Sequence, residues 1–411
     1  MGFDVSPLKE EELDAFFEID GVAFGGRMSA PVRELIEDHM TLERALASRD
    51  GDEVVGSAVS ERSIITLPGL SRLPVGVVVG VAVAPSHRRQ GRLRALMHRQ
   101  LDELRRDGEA LATLFASEGG IYGRYGYGMA TFGSRYELDK RVARLDEPGA
   151  APMPGRIRLL DREAASEAFP AVYAEYAPTR AGEIDRKNVL DFLNAIGDPG
   201  AEDLTRRFYA VYEEGGRIDG YVAYEVAPMA PSDSWARRVI CHELCHLTTA
   251  AYIGLWQFLL GIDLTEEIRA PGRPLDEPLR WLLANPRQLR TVFSGDRSWL
   301  RLVDVPAALA GRRYPQPGTL VLEVEDEFCS WNTGRYRLHV TEEWAPAEVE
   351  RTDAPADVEL DVSSLATIYL GAVPPSEFRL SALVREKAEG ALTRADRMFA
   401  NDRPPYCLTE F

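Results

Sequence analysis

A long apolar run that ends in a short basic turn constrains the fold more than any other feature of the sequence. Residues 74–85 read PVGVVVGVAVAP, and SHRRQ follows at 86–90. An apolar run rich in β-branched residues is typical of a strand buried on both faces. Apolar side chains then recur at helical spacing, namely at Leu93, Leu96, Met97, Leu101 and Leu104. With another apolar run at 110–116, the pattern predicts strand, turn, helix and strand, which is one α/β unit.

The rest of the chain also alternates between helix-like and strand-like segments. A segment rich in Pro, Gly and Ala at 147–155 is typical of a linker. The other predicted helices are 5–20, 33–48, 164–176, 187–193, 250–260, 363–370 and 381–399. The other predicted strands are 53–59, 64–66, 156–160, 207–212, 220–226, 238–249, 318–324 and 335–339.

The length of the chain, 411 residues, predicts more than one domain. The linker-like segment and a second boundary near Arg297 predict domains at 1–148, 149–297 and 298–411. Their mixture of helices and strands predicts an α/β (α+β) fold.

The charge balance argues against two classes of partner. The chain has 48 basic and 65 acidic residues, a net charge of −17. A field of this sign repels phosphates, so we expect neither a nucleic-acid partner nor an anionic membrane surface. It suits a cationic substrate, although solubility alone explains it equally well.

The sequence has the features of a cytoplasmic protein. Four cysteines in a chain of this length do not form a disulfide framework. The first twenty residues are acidic and lack the apolar segment of a signal peptide. The longest apolar run, 250–262, is interrupted by Gln257 and is too short to span a bilayer.

The basic turn carries the chemistry of a pyrophosphate site. A helix N-terminus directs backbone N–H groups and a favourable dipole at an anion. Gly91 allows close approach, and Arg88 and Arg89 add charge-assisted contacts. If the preceding strand is bulged at 81–83, it can pair with an extended arm that contains amides. The alternative is a basic helix start whose arginines are solvated. Neither a P-loop nor a dinucleotide-binding glycine motif is present in this turn.

The segment VAVAPSHRRQGRLR at 81–94 resembles the acetyl-coenzyme A loop of the GNAT superfamily. Three further stretches are similar to the enhanced intracellular survival (Eis) family of multi-acetylating GNAT enzymes. They are ASEGGIYGRYGYG at 116–128, WLRLVDVPAAL at 299–309 and TEF at 409–411. The resemblance therefore covers nearly the whole chain.

The resemblance implies a fold, an assembly and a set of site residues. It implies two GNAT-like domains in tandem, a C-terminal domain like sterol carrier proteins, and a homohexamer. Tyr122 matches the general acid of the family, and the Phe411 carboxylate matches its general base. The expected acetyl-CoA contacts are Val81, Ala82, Val83, Arg88, Arg89, Gln90, Gly91, Arg92, Leu93, Arg94, Ser117 and Glu118.

Phe24 and Glu410 are the expected acceptor-binding residues. The family can carry an acid shortly after a Phe near position 24, but Gly25 and Gly26 follow here. That difference weakens the case for aminoglycoside binding. Glu410 would add a negative charge for a cationic acceptor.

The two predicted catalytic groups each have a structural alternative. Tyr122 can donate to a departing thiolate, or it can pack in a turn, as we expect of Tyr125 and Tyr127. The apolar end PPYCLTEF anchors the Phe411 carboxylate as a base, or it is simply a packed tail.

The segment HELCH at 242–246 matches the zinc motif H-E-x-x-H. That motif needs a helix, but the flanking residues alternate and are β-branched, which predicts a strand. On a strand the two histidines lie ~13 Å apart, too far for one zinc ion. We therefore predict no metal site.

Two functions from different classes remain. The favoured one is acetyl transfer from the co-substrate acetyl-CoA to primary amines of polycationic small molecules, such as aminoglycosides, or to lysine side chains. The alternative is a lipid- or ligand-binding protein with a regulatory acetyl-CoA-binding domain.

Overall fold

The computed structural model describes residues 3–187, 189–200, 207–229 and 236–411. The helices are α1 (Leu13–Phe24), α2 (Ala30–His39), α3 (Arg92–Arg106), α4 (Arg162–Tyr176), α5 (Leu193–Ile196), α6 (Thr249–Gly261), α7 (Leu279–Leu282), α8 (Val305–Gly311), α9 (Val362–Tyr369) and α10 (Ala391–Phe399). The strands are β1 (Asp4–Pro7), β2 (Ala45–Asp50), β3 (Glu53–Thr66), β4 (Arg72–Val83), β5 (Leu111–Phe115), β6 (Gly128–Met129), β7 (Phe132–Asp139), β8 (Arg156–Leu160), β9 (Phe208–Glu214), β10 (Arg217–Pro228), β11 (Arg237–His246), β12 (Glu267–Pro274), β13 (Arg290–Asp296), β14 (Ser298–Leu302), β15 (Arg313–Tyr314), β16 (Gly318–Glu325), β17 (Gly334–Val340), β18 (Ala345–Pro346), β19 (Glu348–Arg351), β20 (Val358–Asp361) and β21 (Val384–Glu386).

The strands form two large sheets and a smaller one. The first sheet has seven strands in the order β1-β2-β3-β4-β5-β14-β6. The second also has seven, in the order β13-β7-β12-β11-β10-β9-β8. A five-stranded sheet, β19-β17-β16-β20-β21, belongs to the C-terminal part of the chain. The mixed α/β (α+β) class predicted from the sequence is confirmed.

Strand exchange joins the predicted domains. β7 lies before residue 148 but pairs with β12 and β13 in the second sheet. β14 lies after residue 297 but pairs with β5 and β6 in the first sheet. The sheets therefore cross both predicted boundaries, and the division into 1–148, 149–297 and 298–411 stays a prediction.

Three predicted helices differ from the structure. The helix expected at 5–20 begins at Leu13, because residues 4–7 form β1. The helix expected at 33–48 ends at His39, because residues 45–50 form β2 between β1 and β3. β2 is buried along nearly its whole length and lacks the alternation that marks a half-buried strand. The segment 381–399 contains β21 before α10 begins.

Other predicted elements agree with the structure or lie partly outside it. The strand expected at 156–160 is β8, and the helix after the basic turn is α3. Of the helix expected at 187–193, Asn188 lies outside the described residues. No helix in the described ranges is long and apolar enough to cross a bilayer.

A bulge in β4 opens the first sheet. β3 and β4 pair antiparallel, but their register shifts between Ser57 and Val59, where Gly80 has a φ of 57°. β4 pairs in parallel with β5 only from Val75 to Val77. The two strands therefore separate beyond Val77, and the bulge lies at Gly80, just before the segment 81–83 considered from the sequence.

The bulge also fixes the position of α1. A Cβ atom added at Gly80 would lie 3.2 Å from the Phe16 ring. Glycine is needed here both for the positive φ and for this close approach. The packing brings one face of α1 against the open end of β4.

Candidate active site

The open end of β4 borders a cleft shaped for an extended ligand. Val81 and Val83 are half-buried, and Ala82 between them is buried. Ser117 and Glu118 follow β5 on the other side of the opening and are exposed. The five residues lie where the two strands separate, which is the place where backbone amides of a pantetheine arm can pair.

The turn after β4 has the backbone geometry of an anion site. Arg89 and Gly91 both have positive φ values, 62° and 94°. No side chain caps the start of α3, so no side chain accepts a hydrogen bond from its first backbone N–H groups. Arg88, Arg89 and Gln90 are exposed around this turn. A helix N-terminus preceded by such a turn attracts phosphate groups.

Three side chains of the predicted loop point elsewhere. The guanidinium of Arg92 is buried and donates to the Arg49 carbonyl at 2.8 Å. Leu93 packs against the core of the first sheet. Arg94 lies over the Phe328 ring, 4.9 Å from its centre. Because these three side chains make contacts within the protein, only the backbone N–H groups at these positions remain available to a cofactor.

A cavity of about 620 Å³ lies beside the cleft, where the two large sheets meet. It brings together six of the predicted site residues, namely Phe24, Val81, Ser117, Tyr122, Glu410 and Phe411. We call this the first cavity. The proposed acid, the proposed base and the proposed acceptor contacts, all named from the sequence, therefore line one cavity in the structure.

Tyr122 is buried with its ring against Tyr127, at a centroid distance of 5.8 Å. Burial raises the pKa of Tyr122 to about 12. The hydroxyl therefore stays protonated at neutral pH and is available as a donor. Tyr125 and Tyr127 lie in the same core cluster, which is the packing role expected of them.

The C-terminal segment is held along its length. The backbone N–H groups of Tyr406 and Leu408 donate to the Ala181 carbonyl and the Glu183 carboxylate, respectively. The Phe411 ring meets Phe115 edge-on at 4.9 Å. This anchoring fixes the position of the terminal carboxylate.

A buried acid in the second sheet domain holds this segment. Both carboxylate oxygens of Glu183 accept from Leu408, at 3.0 and 2.9 Å. The Tyr173 hydroxyl donates to Glu183 at 2.9 Å and also meets the Thr409 hydroxyl. Burial raises the pKa of Glu183 to about 7, although these donors oppose the rise.

Several residues of the first cavity were missed in the sequence. They are Asp20, Arg135, Phe293, Asp296 and Arg297. The Arg297 guanidinium donates to the Cys407 carbonyl at 3.1 Å and lies 3.8 Å from Glu410. Only Asp20 had a signal, since it stands one helical turn after Phe16 at the end of the helix predicted at 5–20.

The segment HELCH lies on a strand, β11, as predicted. Glu243 forms an ion pair with Arg186 at 2.8 Å. His242 meets the Glu225 carboxylate at 3.1 Å, across the neighbouring strand β10. The strand prediction is therefore confirmed, and the acid of the motif serves an ion pair beside the C-terminal segment.

Three segments of the chain match known families. Residues 4–130 and 192–302 each match the family described as Acetyltransferase (GNAT) domain. Residues 305–408 match the Sterol carrier protein domain. The order of these domains agrees with the order predicted from the sequence.

Relatives match over most of their length. An uncharacterized N-acetyltransferase of Streptomyces coelicolor is 37% identical over 406 residues, 97% of each chain. N-acetyltransferase Eis of Mycobacterium tuberculosis is 37% identical over 88% of this chain and 87% of that protein. The crystal structure of Eis1 from Mycobacterium abscessus superposes with a TM-score of 0.86 at 32% identity, covering 99% of this chain and 100% of that one. The chain belongs to the Eis family of GNAT N-acetyltransferases.

Proposed function

We propose that this N-acetyltransferase transfers the acetyl group of acetyl-CoA to a primary amine of a polycationic small molecule or of a lysine side chain. The observation that carries the proposal is the meeting of Tyr122, the Phe411 carboxylate and the open end of β4 around the first cavity. Acyl transfer to an amine needs a binding surface for the donor, an acid for the thiolate and a base for the amine proton.

Backbone groups hold the donor in this proposal. When bound, acetyl-CoA supplies the thioester that is cleaved. The N–H groups after Gly91, with the guanidinium groups of Arg88 and Arg89, suit its pyrophosphate. The segment at 81–83, which follows the bulge at Gly80 and is not paired with β5, suits the amides of pantetheine.

Tyr122 and the terminal carboxylate divide the proton transfers. As the amine nitrogen bonds to the acyl carbon and the C–S bond breaks, Tyr122 donates its proton to the sulfur. The Phe411 carboxylate accepts the proton of the amine, directly or through water.

The charges of the first cavity favour a cationic acceptor. Four acidic groups border the space, against two cations, Arg135 and Arg297, and Arg297 is engaged by Glu410 and by a carbonyl. The acidic groups are Asp20, Asp296, Glu410 and the terminal carboxylate. The net charge of −17 acts in the same direction at long range.

The interior of the C-terminal domain argues against lipid binding as the main function. Arg312 is buried there among Tyr314, Tyr369 and Phe399, at 4.6, 5.8 and 5.0 Å from the ring centres. It donates to the backbone carbonyl of Tyr369. These buried side chains pack against one another in the interior of the domain. We therefore prefer acetyl transfer to the lipid-binding alternative.

The family further suggests a homohexamer that works in the cytoplasm. Light scattering of the purified protein would test the assembly, because a monomer would contradict it. Fractionation of cells that express the protein would test the location.

The terminal carboxylate gives the sharpest test of the mechanism. A Gly-Ser extension after Phe411 moves the charge and leaves every side chain in place. We expect thiol release with a panel of amines to fall at least about tenfold, with unchanged acetyl-CoA affinity. Phe411→Leu, which keeps a terminal carboxylate, is the matched control and should retain more activity. A correctly folded extended protein with the parental rate would exclude the carboxylate as the base.

A further inference from the structure

One stripe of α1 faces the reaction space. Phe16, Asp20 and Phe24 follow one another at intervals of four residues, so they share a face of the helix. Phe24 lines the first cavity, and Phe16 lines a neighbouring cavity of about 280 Å³, which we call the second cavity. Asp20 lines both, as does Phe411. Asp20 therefore lies where the two spaces meet.

Asp20 is a buried carboxylate without a partner. Its side chain is 7% exposed, and within the described parts of the chain no donor or cation lies at bonding distance from it. Burial raises the pKa of Asp20, and no neighbouring charge opposes the rise.

The other buried carboxylates of the described residues all have partners. Glu109 pairs with Arg44 and Arg62, Glu243 with Arg186, Glu277 with Arg273, Asp326 with Arg301 and Asp219 with Arg217, and Glu183 accepts from Leu408 and Tyr173. Burying an unpaired carboxylate costs folding free energy, so a carboxylate that faces a cavity without a partner is a candidate for binding a ligand.

None of the described cations that line the two cavities pairs with Asp20, and Arg135 of the first cavity lies over the Phe293 ring, 6.0 Å from its centre. In the second cavity, Arg62 pairs with Glu109 at 2.7 Å, and the Lys187 ammonium donates to the Arg62 carbonyl. In the first cavity, Arg297 is held by the Cys407 carbonyl. The carboxylate of Asp20 therefore remains available to a cationic ligand that enters the cavities.

The second cavity indicates what that ligand carries besides a cation. Its walls include the apolar side chains of Met28, Ile36, Met40, Ile184 and Leu193. A wall of this kind binds an alkyl or aryl group of moderate size.

We propose that Asp20 binds an ammonium group of the acceptor other than the reacting amine at the junction of the two cavities, with an apolar part of the acceptor in the second cavity. The inference rests on the proposed function, because it takes the bound ammonium group to belong to the acetyl acceptor. Amine binding can nevertheless be measured without turnover. It makes Asp20 a specificity-determining residue that selects cationic, partly apolar acceptors.

Calorimetry with the CoA-loaded protein tests the inference. The probes are n-hexylamine and its uncharged counterpart n-hexanol, and the variants are Asp20→Asn and, as a control on the exposed face of the same helix, Glu18→Gln. A charge-assisted contact predicts that Asp20→Asn weakens hexylamine binding roughly 10- to 100-fold, while hexanol binding and the control stay unchanged. Equal hexylamine affinity in Asp20→Asn and the parent, or no hexylamine binding by either, would overturn the proposal.

Thermal unfolding separates this role from a structural one. Since Asp20 has no partner in the fold, Asp20→Asn should keep or raise the melting temperature. A clear fall would mean that the carboxylate is paired within the protein, and it would also overturn the inference. Thiol release measured on the same preparations reports on the proposed function separately. Amine binding that depends on Asp20 without any thiol release would retain the inference and contradict acetyl transfer.

Discussion

The two GNAT domains contain the same strand-to-helix step but end it differently. In the first, β4 leads through a turn with two positive φ values into α3, whose start at Gly91 has no side-chain cap. In the second, β11 leads into α6, where the Thr248 hydroxyl accepts from the Ala251 N–H at 3.1 Å. A capped helix start has already satisfied a donor that a phosphate would need.

The space beside the strands differs in the same way. Beyond Val77, β4 separates from β5, and this opening borders the first cavity. In the second domain, Glu183 and the Arg186–Glu243 pair lie beside the C-terminal segment and bind it. The comparison teaches that one domain leaves its strand end open beside a cavity, while the other uses buried charges to hold the terminus of the chain.

The largest effect on activity is expected at Tyr122, and it would sharpen the contrast between the two GNAT domains. Tyr122→Phe removes the only proposed acid of the first domain and leaves its ring in place. We expect kcat to fall by about 10²–10⁴-fold, since general acid steps are worth that much. Acetyl-CoA affinity should stay unchanged. Tyr125→Phe, a nearby buried tyrosine, is the control, and an equal kcat for Tyr122→Phe and the parent would remove Tyr122 from the mechanism.

The next effect concerns the uncapped start of α3. Gly91→Glu adds a negative charge and a side chain at a φ of 94°, where the new Cβ would also meet Phe3 at 3.4 Å. We expect acetyl-CoA binding, measured by calorimetry, to weaken by about 100-fold or more, because a carboxylate repels the pyrophosphate.

Gly108→Glu is the control for backbone strain at the other end of α3. Gly108 also has a positive φ, 77°, with no neighbouring atom near a new Cβ. It should lower stability without changing acetyl-CoA affinity. If Gly91→Glu bound acetyl-CoA like the parent, the contrast between the two helix starts would have no functional meaning.

Glu183 tests the holding role of the second domain. Burial raises its pKa from 4.5 to about 7. The stabilising contribution of the protonated form is complete below about 4.5 and is lost as the pH rises through about 7. At about 1.4 kcal/mol per pKa unit, the expected loss is on the order of 3 kcal/mol.

Denaturant unfolding at several pH values measures this effect. Glu183→Gln keeps the acceptor for Leu408 and cannot ionise, so its stability should not follow this part of the pH dependence. Glu167→Gln on the exposed face of α4 is the control. Parallel pH profiles for the parent and Glu183→Gln would show that Glu183 does not govern the stability of the C-terminal segment.

The sequence predicts the strand, turn and helix around Gly91 well, and it names only part of the residues that line the candidate site. The turn is local, because Arg88, Arg89 and Gly91 carry their chemistry within four residues. Glu183 was missed because its partner Leu408 comes from a distant segment of the chain. Asp20 was missed because only the folded structure shows that it lines two cavities without a partner. Gly25 and Gly26 follow Phe24, where the family can carry an acid, whereas Asp20 lies one helical turn before Phe24 and lines the first cavity.

The smallest expected effect lies at the cap of α6. Thr248→Ala removes the hydroxyl that accepts from Ala251, and losing such a cap costs about 1 kcal/mol of unfolding free energy. Because α6 packs in the core of the second domain, which has no part in binding the donor in this proposal, acetyl-CoA affinity should not change. Denaturant unfolding measures the first quantity and calorimetry the second. Thr248→Ser, which keeps the hydroxyl, should restore stability. Weaker acetyl-CoA binding by Thr248→Ala would break the comparison, because it would place a part of the donor site in the second domain.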